Sequence, residues 1–133
     1  MLFGKEHVDR YLATDGEEGH DWQGTQCLLL TTTGAKSDEP RIAPLIYAPY
    51  GDAYLIVASK GGAPTPPAWY VNLREHPDVE VQIKGDKFAA RARTAGADEK
   101  PGMWKAATQA WPAYDEYQAK TSREIPIVVL ERA

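Results

Sequence analysis

One cysteine, three histidines, two phenylalanines and two methionines are all that this chain of 133 residues holds of those four types. Each shortage closes off a class of protein. With Cys27 alone no internal disulfide can form, and its setting in Cys27-Leu28-Leu29-Leu30 reads as a buried strand, so a core thiol is expected rather than a nucleophile. His7, His20 and His76 lie far apart and in no ligand-spaced cluster with cysteine or carboxylates. No metal site is expected, and surface or capping roles suit all three. No apolar run approaches the roughly 18 to 20 residues of a membrane span, which leaves no transmembrane helix and does not speak against peripheral contact with a membrane. The start, Met1-Leu2-Phe3-Gly4-Lys5-Glu6-His7, lacks a basic stretch leading into an apolar block and does not read as a secretory signal, so the cytoplasm is the default location. A basic excess is missing too. The formal charge of −4 weighs against a nucleic-acid partner. Finally, there is no Gly-x-Gly-x-x-Gly after a strand, no phosphate loop ending Gly-Lys-Ser or Gly-Lys-Thr, and no Gly-x-Ser-x-Gly elbow, so ordinary nicotinamide, ATP and hydrolase readings lose their main support.

What is present is the material of one globular domain, residues 1–133, with 43% hydrophobic and 26% charged residues. Glu6 to Ala13 predicts a short helix with Val8, Tyr11 and Leu12 on one face, which packs as a lid or cap. Asp15 to Gly24 reads as a loop that Trp22 anchors. Strands are expected over Thr25 to Thr33, Arg41 to Ala48, Ala53 to Ser59, Val79 to Ile83, Lys87 to Thr94 and Ile127 to Glu131, several joined by tight turns. Ala68 to His76 reads as a helix that must stop before Pro77. A longer one starts at Asp98 and sets Met103, Trp104, Ala107 and Trp111 on one face. At least six strands, mostly in hairpins, with two or three covering helices, define a mainly β protein of α+β style, a small antiparallel barrel.

Two constellations could carry chemistry. Ser59-Lys60-Gly61-Gly62 follows a strand and leads into the proline-headed helix at Ala68: paired glycines admit a close ligand, Lys60 adds positive charge, and the helix directs its positive end back at the loop. Thr31-Thr32-Thr33-Gly34-Ala35-Lys36-Ser37, followed by Arg41, repeats the theme of strand end, glycine turn, cation and hydroxyl. Together the two predict a site for one small anion. The second constellation is the aromatic strip Trp111, Tyr114 and Tyr117, where buried phenols need water, backbone or a ligand as partner.

In order along the chain, Leu28 to Gly34, Pro40-Arg41, Pro44-Leu45, Ser59-Lys60-Gly61-Gly62, Trp69-Tyr70-x-Asn72-Leu73, His76-Pro77, Tyr114 to Gln118 and Arg123-Glu124-Ile125-Pro126 make a recognisable series. It resembles the deazaflavin-dependent nitroreductase family, quinone and nitroaromatic reductases included, over about Thr25 to Glu131, with residues 1–24 outside the shared pattern. The resemblance implies a split β-barrel related to proteins that bind flavin mononucleotide, and hydride transfer from reduced coenzyme F420 to a quinone, nitroaromatic or activated enone. It further implies that Lys36, Ser37 and Arg41, with Ser59, Lys60 and Gly61, hold the phospholactyl and acidic tail. Ile42, Ala43, Pro44, Leu45, Ala58, Trp69 and Asn72 would complete the coenzyme site. Trp111, Tyr114 and Tyr117 would face the substrate, with Tyr114 as proton donor and Ser59 and Tyr117 as helpers. Ala35 departs from the arginine that the family often places before the lysine, removing one cation from the tail site. Flavin mononucleotide in the same cradle, and a non-catalytic coenzyme-binding protein, are the alternatives. A homodimer is compatible with the pattern.

Overall fold

In the computed structural model, which describes residues 2–133, the chain runs as α1 (Gly4–Thr14), β1 (Asp21–Trp22), β2 (Thr25–Thr33), β3 (Pro40–Ile46), β4 (Ala48–Tyr50), β5 (Ala53–Val57), α2 (Ala68–Glu75), β6 (Asp78–Ile83), β7 (Asp86–Thr94), α3 (Lys100–Ala110), α4 (Ala113–Lys120) and β8 (Ile127–Arg132). A 3-10 turn covers Lys60–Gly62. All strand pairs are antiparallel, and the sheet order is β1-β2-β6-β7-β8-β5-β4, with β3 also on β2.

The sheet curls because its two ends are one piece of chain. Arg41 to Ala48 reads from sequence as a single strand, but the structure divides it at Tyr47: β3 pairs with β2 from Cys27↔Ile46 to Thr33↔Pro40, while β4 pairs with β5. Tyr47 turns inward and is buried, its backbone N–H donates to the Gln26 carbonyl at 3.1 Å, and its hydroxyl meets His20 Nε2 at 2.8 Å. Pro44 and Pro49 lie on the strands flanking this corner, where a missing N–H costs least. The result is a split barrel.

Its interior is filled from alternating positions: Leu28 and Leu30, Ile56, Val79 and Val81, Ala90 and Ala92, Val128 and Leu130, with Tyr70 and Leu73 of α2 packed among them. A second core holds the other face of β5 and β8, through Leu55, Val57, Ile127 and Val129, against Met103 and Ala107 of α3 and Tyr114 of α4. Being covered on both sides, β8 is apolar at four successive positions without alternation. α1 packs Val8 and Tyr11 against Leu29 as a third, small cluster.

Among the described residues four helices stand where two or three were expected. The helix expected from Asp98 ends at Ala110, because Pro112 drives the preceding Trp111 out of the helical region, to φ −148 and ψ 92. Histidine placement differs as well. His7 and His20 are buried rather than superficial: His7 Nε2 donates to the Gly19 carbonyl at 2.8 Å, and His20 joins the Asp21 carboxylate at 2.9 Å to Tyr47. Only His76 keeps a capping position, its N–H closing α2 on the Asn72 carbonyl at 2.8 Å.

Candidate active site

Two adjoining cavities share the indole of Trp69 at the start of α2. The first, of about 330 Å³, is bounded by Pro44 and Leu45 of β3, by Ser59, Lys60 and Gly61, and by Trp111, Tyr114 and Tyr117. The second, of about 540 Å³, is bounded by Lys36, Ser37, Arg41, Ile42, Ala43 and Asn72. The cations expected in one anion site are thus divided, with Lys60 on the first cavity and Lys36 and Arg41 on the second. α2 presents its N-terminal residues to both: Pro67 to the first and Ala68 to the second.

The cationic groove carries acidic neighbours. Arg41 lies 3.5 Å from Glu39, and Asp38 lies 3.4 Å from His76, whereas Lys36 has no ion-pair partner among the described residues. Asn72 serves the groove from behind. Its amide oxygen accepts the Ala35 N–H at 3.0 Å and its amide nitrogen donates to Thr32 Oγ1 at 3.2 Å, so the side chain holds the turn before Lys36 rather than reaching outward. Ala58 lines neither cavity; it is fully buried in the barrel core, and its carbonyl accepts from Arg123 at 3.2 Å.

In the first cavity two hydroxyls stand out. Ser59 is 8% exposed and Tyr114 is 6% exposed, yet neither side chain has a hydrogen-bond partner among the described residues, and among these no buried side-chain polar atom is both sealed from solvent and unpaired. Both hydroxyls therefore meet the cavity, where water or a ligand completes them. Burial drives the Tyr114 phenol well above the ordinary phenol range, with the nearby Cys27 thiol adding to the effect. It stays protonated and can donate. Tyr117 is fixed by comparison, accepting from Trp111 Nε1 at 3.3 Å with its ring 6.1 Å from that of Tyr114. The strip Trp111, Tyr114 and Tyr117 therefore survives the break at Pro112, held by these contacts across two helices.

The N-terminal segment, whose helix is expected from sequence to pack as a lid or cap, forms one wall of this cavity. Phe3, His7 and Trp22 form part of its wall; the Trp22 ring packs on Phe3 at 5.6 Å, on His7 at 6.1 Å and on Trp111 at 5.9 Å. Trp22 is anchored as expected, through Nε1 to the Leu2 carbonyl at 2.8 Å, and also faces the cavity. Cys27 borders the same space, and burial pushes its thiol up to about 12, which fits a core thiol and not a nucleophile.

The fold is thus a curled antiparallel split barrel with a cationic groove beside an aromatic, hydroxyl-bearing cavity, a concave site of the kind that takes a small-molecule ligand. The sequence model of F420H(2)-dependent quinone reductases matches residues 3–132, and the chain belongs to that family. That match takes in α1 and the loop after it. The F420H(2)-dependent quinone reductase of Mycobacterium tuberculosis strain H37Rv is 44% identical over 130 residues, 95% of this chain and 87% of the relative. A solved F420-H2 dependent reductase (FDR-A) is 42% identical, with a TM-score of 0.73 over 79% of this chain and 93% of its own. A second solved structure, described as a domain-swapped dimer, is 39% identical, with a TM-score of 0.77 over 96% of each chain. The protein is accordingly an enzyme, a reductase dependent on coenzyme F420.

Proposed function

We propose that the chain reduces small quinones, and by the same chemistry nitroaromatics and activated enones, in the first cavity. The observation that carries this reading is the pair of nearly buried, unpartnered hydroxyls of Ser59 and Tyr114 facing one aromatic space. The chain's residues fit the coenzyme: an anionic tail matches the groove with Lys36, Ser37 and Arg41 and the loop with Lys60 and Gly61, and a flat ring matches the walls from Ile42 to Leu45 and Trp69. When bound, reduced F420 supplies a hydride from C5 of its deazaflavin ring. The protein's part is to hold ring and acceptor together, exclude water and manage protons. Tyr114 donates a hydrogen bond, and then a proton, to the acceptor oxygen that gains charge; Ser59 and Tyr117 support it. Trp22, Phe3 and Trp111 offer apolar and aromatic faces to a planar acceptor and cover it from solvent.

Titration with F420 and with flavin mononucleotide, followed by turnover on a quinone, nitroaromatic and enone panel, tests the reading. Quenching of deazaflavin fluorescence and reduction of quinones are expected. Tight flavin mononucleotide binding without that quenching would overturn it, as would coenzyme binding with no turnover of any acceptor, the behaviour of a carrier protein. Assembly as a homodimer belongs to the same proposal, supported by the relative described as a domain-swapped dimer. Light scattering should then give twice the 14.7 kDa of one chain.

A further inference from the structure

The loop between β5 and α2 holds three successive residues in the left-handed region: Lys60 at φ 47, Gly61 at φ 64 and Gly62 at φ 84. Left-handed backbone is costly for a lysine, and it persists where the surroundings over-determine it. The structure supplies that constraint from a distant point in the chain. Arg123, just beyond α4, donates from Nε to the Ala63 carbonyl at 2.8 Å and from Nη2 to the carbonyls of Ser59 at 2.8 Å and Ala58 at 3.2 Å. One guanidinium thereby grips the loop on both sides of its left-handed turn. No lysine could do so, since a compact ammonium lacks the planar fork that spans several carbonyls.

The grip joins the loop to α4. Gly62 sits against α4 so closely that a Cβ there would lie 2.6 Å from the Tyr117 carbonyl oxygen and 3.1 Å from the Lys120 Cβ. Gln118 of α4 donates to the Arg123 carbonyl at 2.8 Å and accepts the Ile125 N–H at 2.9 Å, fixing the segment that carries the arginine. Arg123 forms no ion pair among the described residues, so no carboxylate offsets its charge beside the loop that presents Lys60 to the first cavity. A buried or half-buried arginine whose partners are carbonyls alone keeps its attraction for an anion nearby.

We propose that Arg123 is a positioning residue that shapes the Ser59–Gly62 loop for the coenzyme's anionic tail and locks that loop to α4, so that coenzyme binding sets the placement of Tyr114 and Tyr117. The inference rests on the coenzyme site proposed above. It differs from a plain stabilising role in tying two functions, tail affinity and acceptor positioning, to one side chain.

The test compares the wild type with Arg123→Met and Arg123→Lys, with F420 as the titrant and amide hydrogen exchange of the ligand-free proteins as a second readout. Arg123→Met should weaken coenzyme binding by at least about tenfold and lower kcat at saturating coenzyme, the two effects a lost anchor and a shifted Tyr114 produce. Arg123→Lys keeps the charge but not the fork, and should recover less than half of the lost affinity. Free guanidinium at millimolar concentration should restore part of it in Arg123→Ala. In all variants residues 58–63 and 113–120 should exchange faster together. A coenzyme affinity within twofold of wild type in folded Arg123→Met overturns the proposal, as does faster exchange confined to residues 58–63. If Arg123→Met fails to fold, Arg123→Lys decides by the same two criteria. Should the wild type itself bind no F420, the reading of the site fails, while the exchange data still decide whether Arg123 locks loop to helix.

Discussion

Tyr11, Tyr47, Tyr70 and Tyr114 are all buried phenols, and three of them spend their hydroxyls on the fold. Tyr11 donates to the carbonyls of Cys27 or Gln82 and accepts the Lys84 N–H at 2.8 Å, Tyr47 meets His20, and Tyr70 meets Thr94 Oγ1 at 3.0 Å. Tyr114 alone of the four has no such bond. Removing its hydroxyl therefore strands no partner, and Tyr114→Phe should leave the thermal midpoint unchanged or slightly raised. In turnover the same change removes a donor to the atom that gains charge, and kcat should fall on the order of 100-fold with coenzyme affinity intact. Steady-state kinetics beside a fluorescence titration checks both halves, and undiminished turnover would remove Tyr114 from its role. Because burial keeps this phenol neutral, its ionisation should leave no break in the rate profile below the ordinary phenol range.

Elements show where sequence patterns carry and where they stop. Hairpins such as β6–β7 were legible because alternation and a Lys84-Gly85 turn act locally. The corner at Tyr47 was not, since Ile46, Tyr47 and Ala48 continue an extended pattern, and only the partners of each half, β2 for β3 and β5 for β4, reveal the break. The strip Trp111, Tyr114 and Tyr117 was visible by spacing, but the break at Pro112 was not anticipated, and whether Trp111 and Tyr117 still met across it depended on tertiary packing. The cations and hydroxyl expected at an anion site were visible by type, while their division between two cavities depends on where Trp69 falls in the fold. His7 and His20 were misplaced because a buried histidine is signalled only by partners remote in sequence, as Tyr47 is for His20. At Ser59–Gly62 local and tertiary constraints can be separated by experiment. Alanine at Gly61 meets open space and should cost only the left-handed backbone, about 1 to 2 kcal/mol. Alanine at Gly62 adds a collision with α4 and should cost about 2 to 4 kcal/mol. Urea denaturation of the two variants gives the comparison; equal losses would mean that the loop and α4 are not in the contact described.

At the scale of the whole molecule, a barrel core on one face of the sheet and a helix-covered core on the other place several weak acids where water is scarce. Burial pushes Cys27 from an ordinary 9 up to about 12 and Tyr47 from 10 up to about 12, and raises Tyr11 and Tyr114 as well. In the unfolded chain these groups lose protons at their ordinary values, whereas the folded protein holds them to higher pH. Below about pH 9 both states carry the protons and the groups leave stability unchanged with pH. Between about pH 9 and 12 the unfolded state binds fewer protons than the folded one, so stability falls steadily as pH rises through that window. Urea midpoints measured across it should decline from about pH 9, where Cys27 begins to count, and more steeply from about pH 10, where the phenols join. Cys27→Ala should move the onset up toward pH 10, since it removes the earliest of these groups. A midpoint that stays level to about pH 11 in the wild type would show that these groups ionise freely in the folded state, and that the two cores do not shield them as the barrel and its covering helices require.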